Sequence, residues 1–228
     1  MWIRKLGIIV LLAGCLCSCK NQKTSEASEK PIKLAEKKVT QLPFYNTADF
    51  TPTWNPSQTD VKKIHKISDF SFTNQLGNKI TNKDLNGYIY VANFFFTTCP
   101  SICVRLTNNM LTLQDVYQND PDIKLISHSV FPEYDSVEIL KKYGERFKIN
   151  PEQWYLVTGE KDKIYKLARD AYFADDTYKQ THDKNAFIHT ENLVLVDKQG
   201  HIRGVYKGTL PEEVERLQRH IEILKKEG

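Results

Sequence analysis

The sequence has no apolar run long enough to cross a bilayer as a helix. The longest run, from Leu6 to Leu16, has about 11 residues, whereas a spanning helix needs about 20. Basic residues outnumber acidic ones by only 32 to 28 and form no patch or stripe, so the charge pattern gives no sign of nucleic-acid binding. No internal repeat is present. A composition of 40% hydrophobic and 26% charged residues is typical of a globular protein and excludes collagen-like, coiled-coil and wholly disordered chains.

The amino terminus has the pattern of a bacterial lipoprotein signal. Arg4 and Lys5 precede the apolar run, and small residues and three cysteines end it. The residues before Cys15 match the usual lipidation motif better, whereas cleavage before Cys19 leaves no spare thiol in an oxidising compartment, so both cysteines stay candidates. We predict a signal peptide over residues 1–18 and a lipid anchor on Cys19 or Cys15. The protein is then expected in the bacterial cell envelope, attached to a membrane and facing the periplasm or the outside.

Two further regions are predicted after the signal. Residues 19–60 are polar, contain several prolines and show little periodicity, which predicts a tether or extended segment whose aromatic second half lies against the domain. From residue 61 to residue 228, strand and helix patterns alternate, which predicts one α/β domain. Within it, Ile67 to Phe72 alternate as in an edge strand or hairpin, and residues 164–172 have helical spacing.

The centre of the domain is predicted by an apolar run from Tyr88 to Phe96. A run so rich in β-branched and aromatic residues is typical of a strand buried on both faces. Two later strands, near residues 193–196 and 202–206, flank a turn. Pro211 begins a final helix whose apolar residues share one face. We therefore predict a central mixed sheet flanked by helices.

The two cysteines of the domain, Cys99 and Cys103, lie where the central strand ends and the next helix begins. We expect this helix to begin near Pro100, which puts Cys99 at its cap, where the helix dipole lowers a thiol pKa. A spacing of four residues puts both sulfur atoms on one face, where they can share a metal ion or form a disulfide. An inert structural disulfide is the alternative, although so short a loop would stabilise the protein little.

Two thiolates alone are an incomplete site for a soft metal. Copper(I) accepts thiolate and imidazole ligands, so a histidine is the natural third ligand. Zinc prefers four ligands. A peroxidase needs an arginine beside one thiolate, and the candidate, Arg105, lies in an early helix turn where arginines are usually solvated. Of the histidines, His189 directly precedes a predicted central strand, but spacing alone does not select it. The six histidines are His65, His128, His182, His189, His201 and His220.

These motifs together resemble the SCO/SenC family over about residues 61–226. The residues that carry the resemblance are Phe96-Thr97-Thr98, Cys99-Pro100-Ser101-Ile102-Cys103, Trp154 with Thr158-Gly159, and His189 before a strand and a hairpin. The resemblance implies a thioredoxin-like fold and an exported, membrane-tethered copper chaperone for assembly of the CuA centre of cytochrome c oxidase. It also implies that Cys99, Cys103 and His189 bind one copper ion. A thiol reductase is the other expected partner, because an oxidised cysteine pair forms a disulfide and cannot bind copper.

Three residues depart from the pattern of that family. Val104 follows the second cysteine, where the family usually has proline. Phe131 and Ile188 stand where the family usually has aspartate. The loss of two acids near the site is expected to change copper(II) affinity or partner docking.

The alternative function is a membrane-tethered thiol-disulfide oxidoreductase that reduces a dedicated partner. Thioredoxin-like oxidoreductases generally have two residues between their cysteines, and this chain has three. They also carry a cis-proline just before the strand that faces the disulfide, and residues 186–191 contain no proline. Both features favour metal binding. Reduction of one partner, such as the CuA cysteines of the oxidase subunit, stays open, and the two activities can coexist.

Overall fold

In the part of the chain that the structure describes, seven strands form the main sheet. The structure, a computed structural model, describes residues 39–175, 180–182, 188 and 190–227. A short ribbon of β1 (Phe44–Tyr45) and β2 (Pro52–Thr53) precedes the sheet. The seven strands are β3 (Ser71–Asn74), β4 (Lys79–Thr81), β5 (Ile89–Phe95), β6 (Ile123–Ser129), β7 (Trp154–Thr158), β8 (Asn192–Val196) and β9 (Ile202–Lys207). Their order across the sheet is β4-β3-β7-β6-β5-β8-β9.

β5 is an inner strand, and all of its residues are buried. The strand predicted from Tyr88 to Phe96 is therefore confirmed, and its largely apolar character, interrupted by Asn93, follows from helices covering both faces of the sheet. β5 pairs in parallel with β6, so that Phe95 lies opposite Ser129, and antiparallel with β8. The sheet is mixed, as predicted.

Helices flank the sheet on both sides. In the described residues they are α1 (Gln58–Val61), α2 (Ile102–Val116), α3 (Val137–Phe147), α4 (Lys161–Lys166) and α5 (Pro211–Glu227). α2, α3 and α5 bury apolar residues against one face, and α4 with a π-helical turn over Leu167–Ala171 covers the other. The apolar face predicted for the last helix is buried, and it consists of Val214, Leu217, Ile221 and Leu224.

Two predicted elements have different bounds in the structure. The strand predicted from Ile67 begins at Ser71. The N–H of Ile67 instead donates to the carbonyl of Gly200 over 2.9 Å, which joins this segment to the β8–β9 turn. The helix predicted over residues 164–172 is α4 followed by the π-helical turn, because the N–H of Tyr172 bonds to the carbonyl five residues earlier.

The segment before the sheet packs against the domain, as its aromatic content predicted. Leu42 and Phe44 are buried. Arg203 of β9 donates from Nη2 to the carbonyl of Leu42 and from Nε to that of Pro43, over 2.7 and 3.1 Å. The compact unit begins at Val39, so it includes residues that the sequence pattern assigned to the tether. Among the described residues, no helix is both long and apolar enough to span a membrane.

Candidate thiol and metal site

Cys99 and Cys103 lie beyond one end of the main sheet. β5 and β6 run in parallel and end together, at Phe95 and Ser129. The loops that follow these strands lead into α2 and α3, and we call this end of the sheet the thiol end. Active groups of open α/β sheets often lie beyond the carboxyl ends of strands. The structure therefore has the cysteine pair at the strand-to-helix junction that the sequence predicted.

α2 begins at Ile102, two residues after Pro100. Ser101 occupies the cap position, but its side chain makes no capping hydrogen bond. The chain after β5 first forms a turn, in which the N–H of Cys99 donates to the carbonyl of Phe96 over 3.3 Å, and this turn delays the helix. Cys99 consequently precedes the helix by more than the sequence pattern predicted.

The sulfur of Cys99 nevertheless takes the place of a capping oxygen. The N–H of Cys103 donates to Cys99 Sγ over 3.4 Å. Burial raises the pKa of the Cys99 thiol, but hydrogen bonds from the N–H groups of Cys103, Ser101 and Ile102 and from the Cys103 thiol together outweigh burial. The pKa of Cys99 therefore lies below its usual value, as expected for a thiol at a helix amino terminus.

Cys103 lies in the first turn of α2 and has the opposite character. Burial raises the pKa of Cys103 to about 12, opposed by a hydrogen bond from the Phe96 backbone and reinforced by the negative charges of Cys99 and Asp135. Both thiols are free in the structure. The pair is thus asymmetric, with an acidic thiol beside a thiol that holds its proton.

The thiol end contains a buried carboxylate that was missed in the sequence. Asp135 is 0% exposed. Its carboxylate accepts the Thr97 N–H at 3.2 Å, the Thr97 hydroxyl at 2.5 Å and the Ser129 hydroxyl at 2.5 Å. Thr97 is two residues before Cys99. The sequence signal that could have indicated Asp135 was its position four residues after Phe131, which stands where the family pattern usually has aspartate.

The two residues that replace the acids of the family pattern lie in different surroundings. Phe131 stacks on Tyr134, with ring centres 5.9 Å apart and an angle of 11° between the ring planes. Tyr134 is 47% exposed, so the loop after β6 presents an aromatic pair to solvent. Ile188 is buried in the apolar cluster on the sheet face that α4 covers.

The predicted third ligand, His189, lies outside the described residues, as do the lipidation candidates Cys15 and Cys19. Within the described ranges, which omit His189, no three His, Cys, Asp or Glu side chains are grouped to hold a metal ion. The structure therefore brings together the two sulfur ligands of the predicted site. The histidine of that site stays a prediction.

His128 is a packed histidine on the sheet face that α4 covers. It is 0% exposed, and its ring stacks on Phe94 with ring centres 5.1 Å apart. Neither ring nitrogen has a hydrogen-bond partner among the described residues. Burial lowers the pKa of His128 to about 3, so the ring is neutral at physiological pH.

The fold and the cysteine pair define a thioredoxin-like protein with two thiols after an inner strand of a mixed sheet. The sequence model of the SCO1/SenC family matches residues 58–224. The chain belongs to the SCO1/SenC family, and the predicted membership is confirmed.

Individual relatives agree with this assignment. A SCO1 protein homolog from Bacillus subtilis (strain 168) is 30% identical over 146 residues, which are 63% of this chain and 75% of the relative. The crystal structure of a SCO1/SenC family lipoprotein from Bacillus anthracis has a TM-score of 0.61 at 29% identity, covering 71% of this chain and 95% of that chain. BsSco, described as a member of the Sco family of cytochrome c oxidase assembly proteins with a disulfide switch, shares the fold with a TM-score of 0.60 at 24% identity, covering 70% of this chain and 93% of its own.

Proposed function

We propose that this protein is a copper chaperone that binds one copper ion through Cys99, Cys103 and His189 and serves assembly of the CuA centre of cytochrome c oxidase. The copper ion is cargo, which the protein receives and then passes to the oxidase subunit. Membership of the SCO1/SenC family supports this assignment. The donor chemistry at the thiol end supports it independently.

The observation that carries the proposal is that two free thiols lie side by side at the start of α2. The N–H of Cys103 lies 3.4 Å from Cys99 Sγ, so the two side chains are neighbours at the start of α2. Thiolates are the ligands that copper(I) prefers. Because burial raises the pKa of Cys103 to about 12, this thiol keeps its proton in the reduced, metal-free protein and loses it when a metal ion binds. Copper loading is therefore expected to release protons.

The direction of β8 supports His189 as the third ligand. β8 runs antiparallel to β5, so its first residue, Asn192, lies at the thiol end. His189 precedes Asn192 by three residues, which span at most about 10 Å of extended chain. An imidazole at this point of the sequence is a suitable partner for two thiolates on copper(I).

The same two sulfurs can also form a disulfide. Oxidation of the pair would remove two electrons and two protons and leave no thiolate for copper. A thiol reductase that returns two electrons and two protons would restore the binding form. The acidic Cys99 is the sulfur suited to exchange with such a partner, because a thiolate is the attacking species.

The proposed place of work is the bacterial cell envelope. A signal peptide over residues 1–18 and a lipid on Cys19 or Cys15 would attach the protein to a membrane facing the periplasm or the outside. The SCO1/SenC family protein from Bacillus anthracis, 29% identical, is itself described as a lipoprotein. Radiolabelled fatty acid incorporation in Cys15→Ala and Cys19→Ala variants would identify the anchor, and no incorporation in the parent would exclude it.

Anaerobic copper(I) titration tests the binding function directly. A soluble form of residues 20–228 retains Cys99 and Cys103 as its only cysteines. We expect one copper per chain, held against the chelator bicinchoninate, and a loss of affinity of more than about 100-fold in Cys99→Ala and in Cys103→Ala. His189→Ala is expected to weaken binding, while the control His182→Ala, an exposed histidine seven residues earlier, leaves it unchanged. Equal affinity of His189→Ala and the parent would contradict the three-ligand site.

A thiol-disulfide oxidoreductase is the second candidate, and the asymmetric pKa values of the pair favour it. An acidic thiol beside a buried, protonated one is an arrangement suited to attack on a partner disulfide followed by resolution. Reduced protein that retains no copper but rapidly reduces the disulfide of an oxidised CuA-domain would support this function instead. Copper retention together with slow exchange would support the chaperone.

A further inference from the structure

We infer that Asp135 is a positioning residue for the metal site, whose carboxylate joins the loops after β5 and β6 and holds the turn of Cys99 in the shape that binds copper(I). The inference rests on the proposed function. It adds a residue that does not touch the metal and lies outside the predicted ligand set.

The carboxylate of Asp135 is a junction between two loops. Its oxygens accept both the N–H and the hydroxyl of Thr97, the second residue after β5. They also accept the hydroxyl of Ser129, the last residue of β6. The N–H of Asp135 donates to the carbonyl of Phe131 over 2.9 Å, which fixes its own loop. One side chain therefore sets the separation between the ends of two parallel strands.

Thr97 is linked to both sulfurs through its neighbour Phe96. The carbonyl of Phe96 accepts the N–H of Cys99 over 3.3 Å, which closes the turn before α2. The backbone of Phe96 also donates a hydrogen bond to the thiol of Cys103. A shift of Thr97 would therefore move the turn that carries one ligand and the backbone group that contacts the other.

The surroundings of Asp135 indicate that the carboxylate is kept for its geometry. A buried carboxylate costs free energy unless its oxygens are bonded. No Lys, Arg or His among the described residues forms an ion pair with Asp135. What the side chain does supply is acceptors for three donors at once, which no apolar residue offers.

The test compares Asp135→Ala with Asp135→Asn in the soluble form of residues 20–228. Asparagine keeps an oxygen for Thr97 and can donate from its amide to the hydroxyl of Ser129, whereas alanine keeps neither. We expect Asp135→Ala to bind copper(I) about 10- to 100-fold more weakly than the parent in competition with bicinchoninate, and Asp135→Asn to stay within about threefold. The matched control is Asp197→Asn, a buried acid at the other end of the sheet, which should leave copper affinity unchanged.

A second measurement separates the inference from the proposed function. The alkylation rate of Cys99 by iodoacetamide at one fixed pH, without copper, should change several-fold in Asp135→Ala and be restored in Asp135→Asn. If the parent binds no copper, the proposed function fails, and the alkylation rates alone decide whether Asp135 positions the turn. A folded Asp135→Ala that matches the parent in affinity and alkylation would overturn the inference, as would an Asp135→Asn as impaired as Asp135→Ala.

If Asp135→Ala does not fold, two variants that each remove one contact of the carboxylate take its place in the test. Thr97→Val and Ser129→Ala each remove one hydroxyl that bonds to the carboxylate and leave Asp135 in place. Each should weaken copper(I) binding in the same direction and by less. Parent-like affinity in both variants would contradict the positioning role.

Discussion

The two ends of the main sheet each bury an aspartate, but they surround it differently. At the thiol end, Asp135 accepts hydrogen bonds from hydroxyl and N–H groups, and no cation of the described residues pairs with it. At the opposite end, where β5 begins, Asp197 pairs with Arg203 at 3.2 Å and with His201 at 3.3 Å. Burial raises the pKa of Asp197, but hydrogen bonds from His201 and the charges of His201 and Arg203 outweigh burial and lower it. Asp197 therefore stays ionised with its charge compensated.

The difference shows two uses of a buried acid. Arg203 also bonds to Glu227 at the end of α5 and to the carbonyls of Leu42 and Pro43, so this cluster fastens distant parts of the chain to one strand. Buried ion pairs are tolerated when every partner is present, and removing one partner leaves an uncompensated charge. The opposite end is thus built for stability. The thiol end instead holds a carboxyl group that is bonded to hydroxyl and N–H donors and joins two loops.

Removing the cation of the opposite end should have the largest effect on stability. Arg203→Leu removes the cation that bonds to the buried carboxylate of Asp197 and to Glu227, and it leaves the carbonyls of Leu42 and Pro43 without the N–H groups of Arg203. We expect a loss of about 3–5 kcal/mol in the free energy of unfolding, measured by urea denaturation. Copper(I) affinity of the protein that remains folded should equal that of the parent. A loss below about 1 kcal/mol, or a change in affinity, would contradict the division between the two ends.

An intermediate effect on stability is expected for the buried ring of His128. His128 is packed among aromatic rings, and burial lowers its pKa to about 3 from an ordinary value of about 6.5. Below pH 6.5 the unfolded chain binds a proton that the folded protein refuses, so stability falls as the pH drops toward 3. His128→Phe keeps an aromatic ring at this position and removes no hydrogen bond to any described residue, because both ring nitrogens lack a partner there.

The measurement for His128 is the unfolding free energy at pH 7 and pH 4. The parent should lose about 2–4 kcal/mol more than His128→Phe over this interval, while the two proteins differ little at pH 7. Parallel pH profiles for parent and variant would show that the buried ring does not cause the acid sensitivity.

The smallest effect on stability is expected for an ion pair at the protein surface, near the end of α5. Lys225 lies two residues before Glu227 and pairs with Asp120 at 2.6 Å, but its side chain is 33% exposed. Lys225→Gln should lower the unfolding free energy by less than about 1 kcal/mol, and the difference should shrink in high salt. A loss as large as that of Arg203→Leu would mean that burial does not set the strength of these pairs.

Local pattern predicted much of the fold. The inner strand β5, the β8–β9 hairpin and the apolar face of α5 all follow from periodicity over one element. The location of the two cysteines at a strand-to-helix junction followed in the same way. The start of α2 did not, because the turn closed by Phe96 and Cys99 competes with the helix and is anchored from another loop through Asp135.

The sequence alone determined where the two thiols of the domain lie, which strand precedes them and which family the chain resembles. These conclusions depend on neighbours along the chain, where strand and helix periods are readable. Only the tertiary structure decided that Leu42 bonds to Arg203, 161 residues later, and that Asp135 bonds to Thr97, 38 residues earlier. Such contacts form because folding brings the ends of distant strands together, and a buried polar group must find its partner wherever the packing places one.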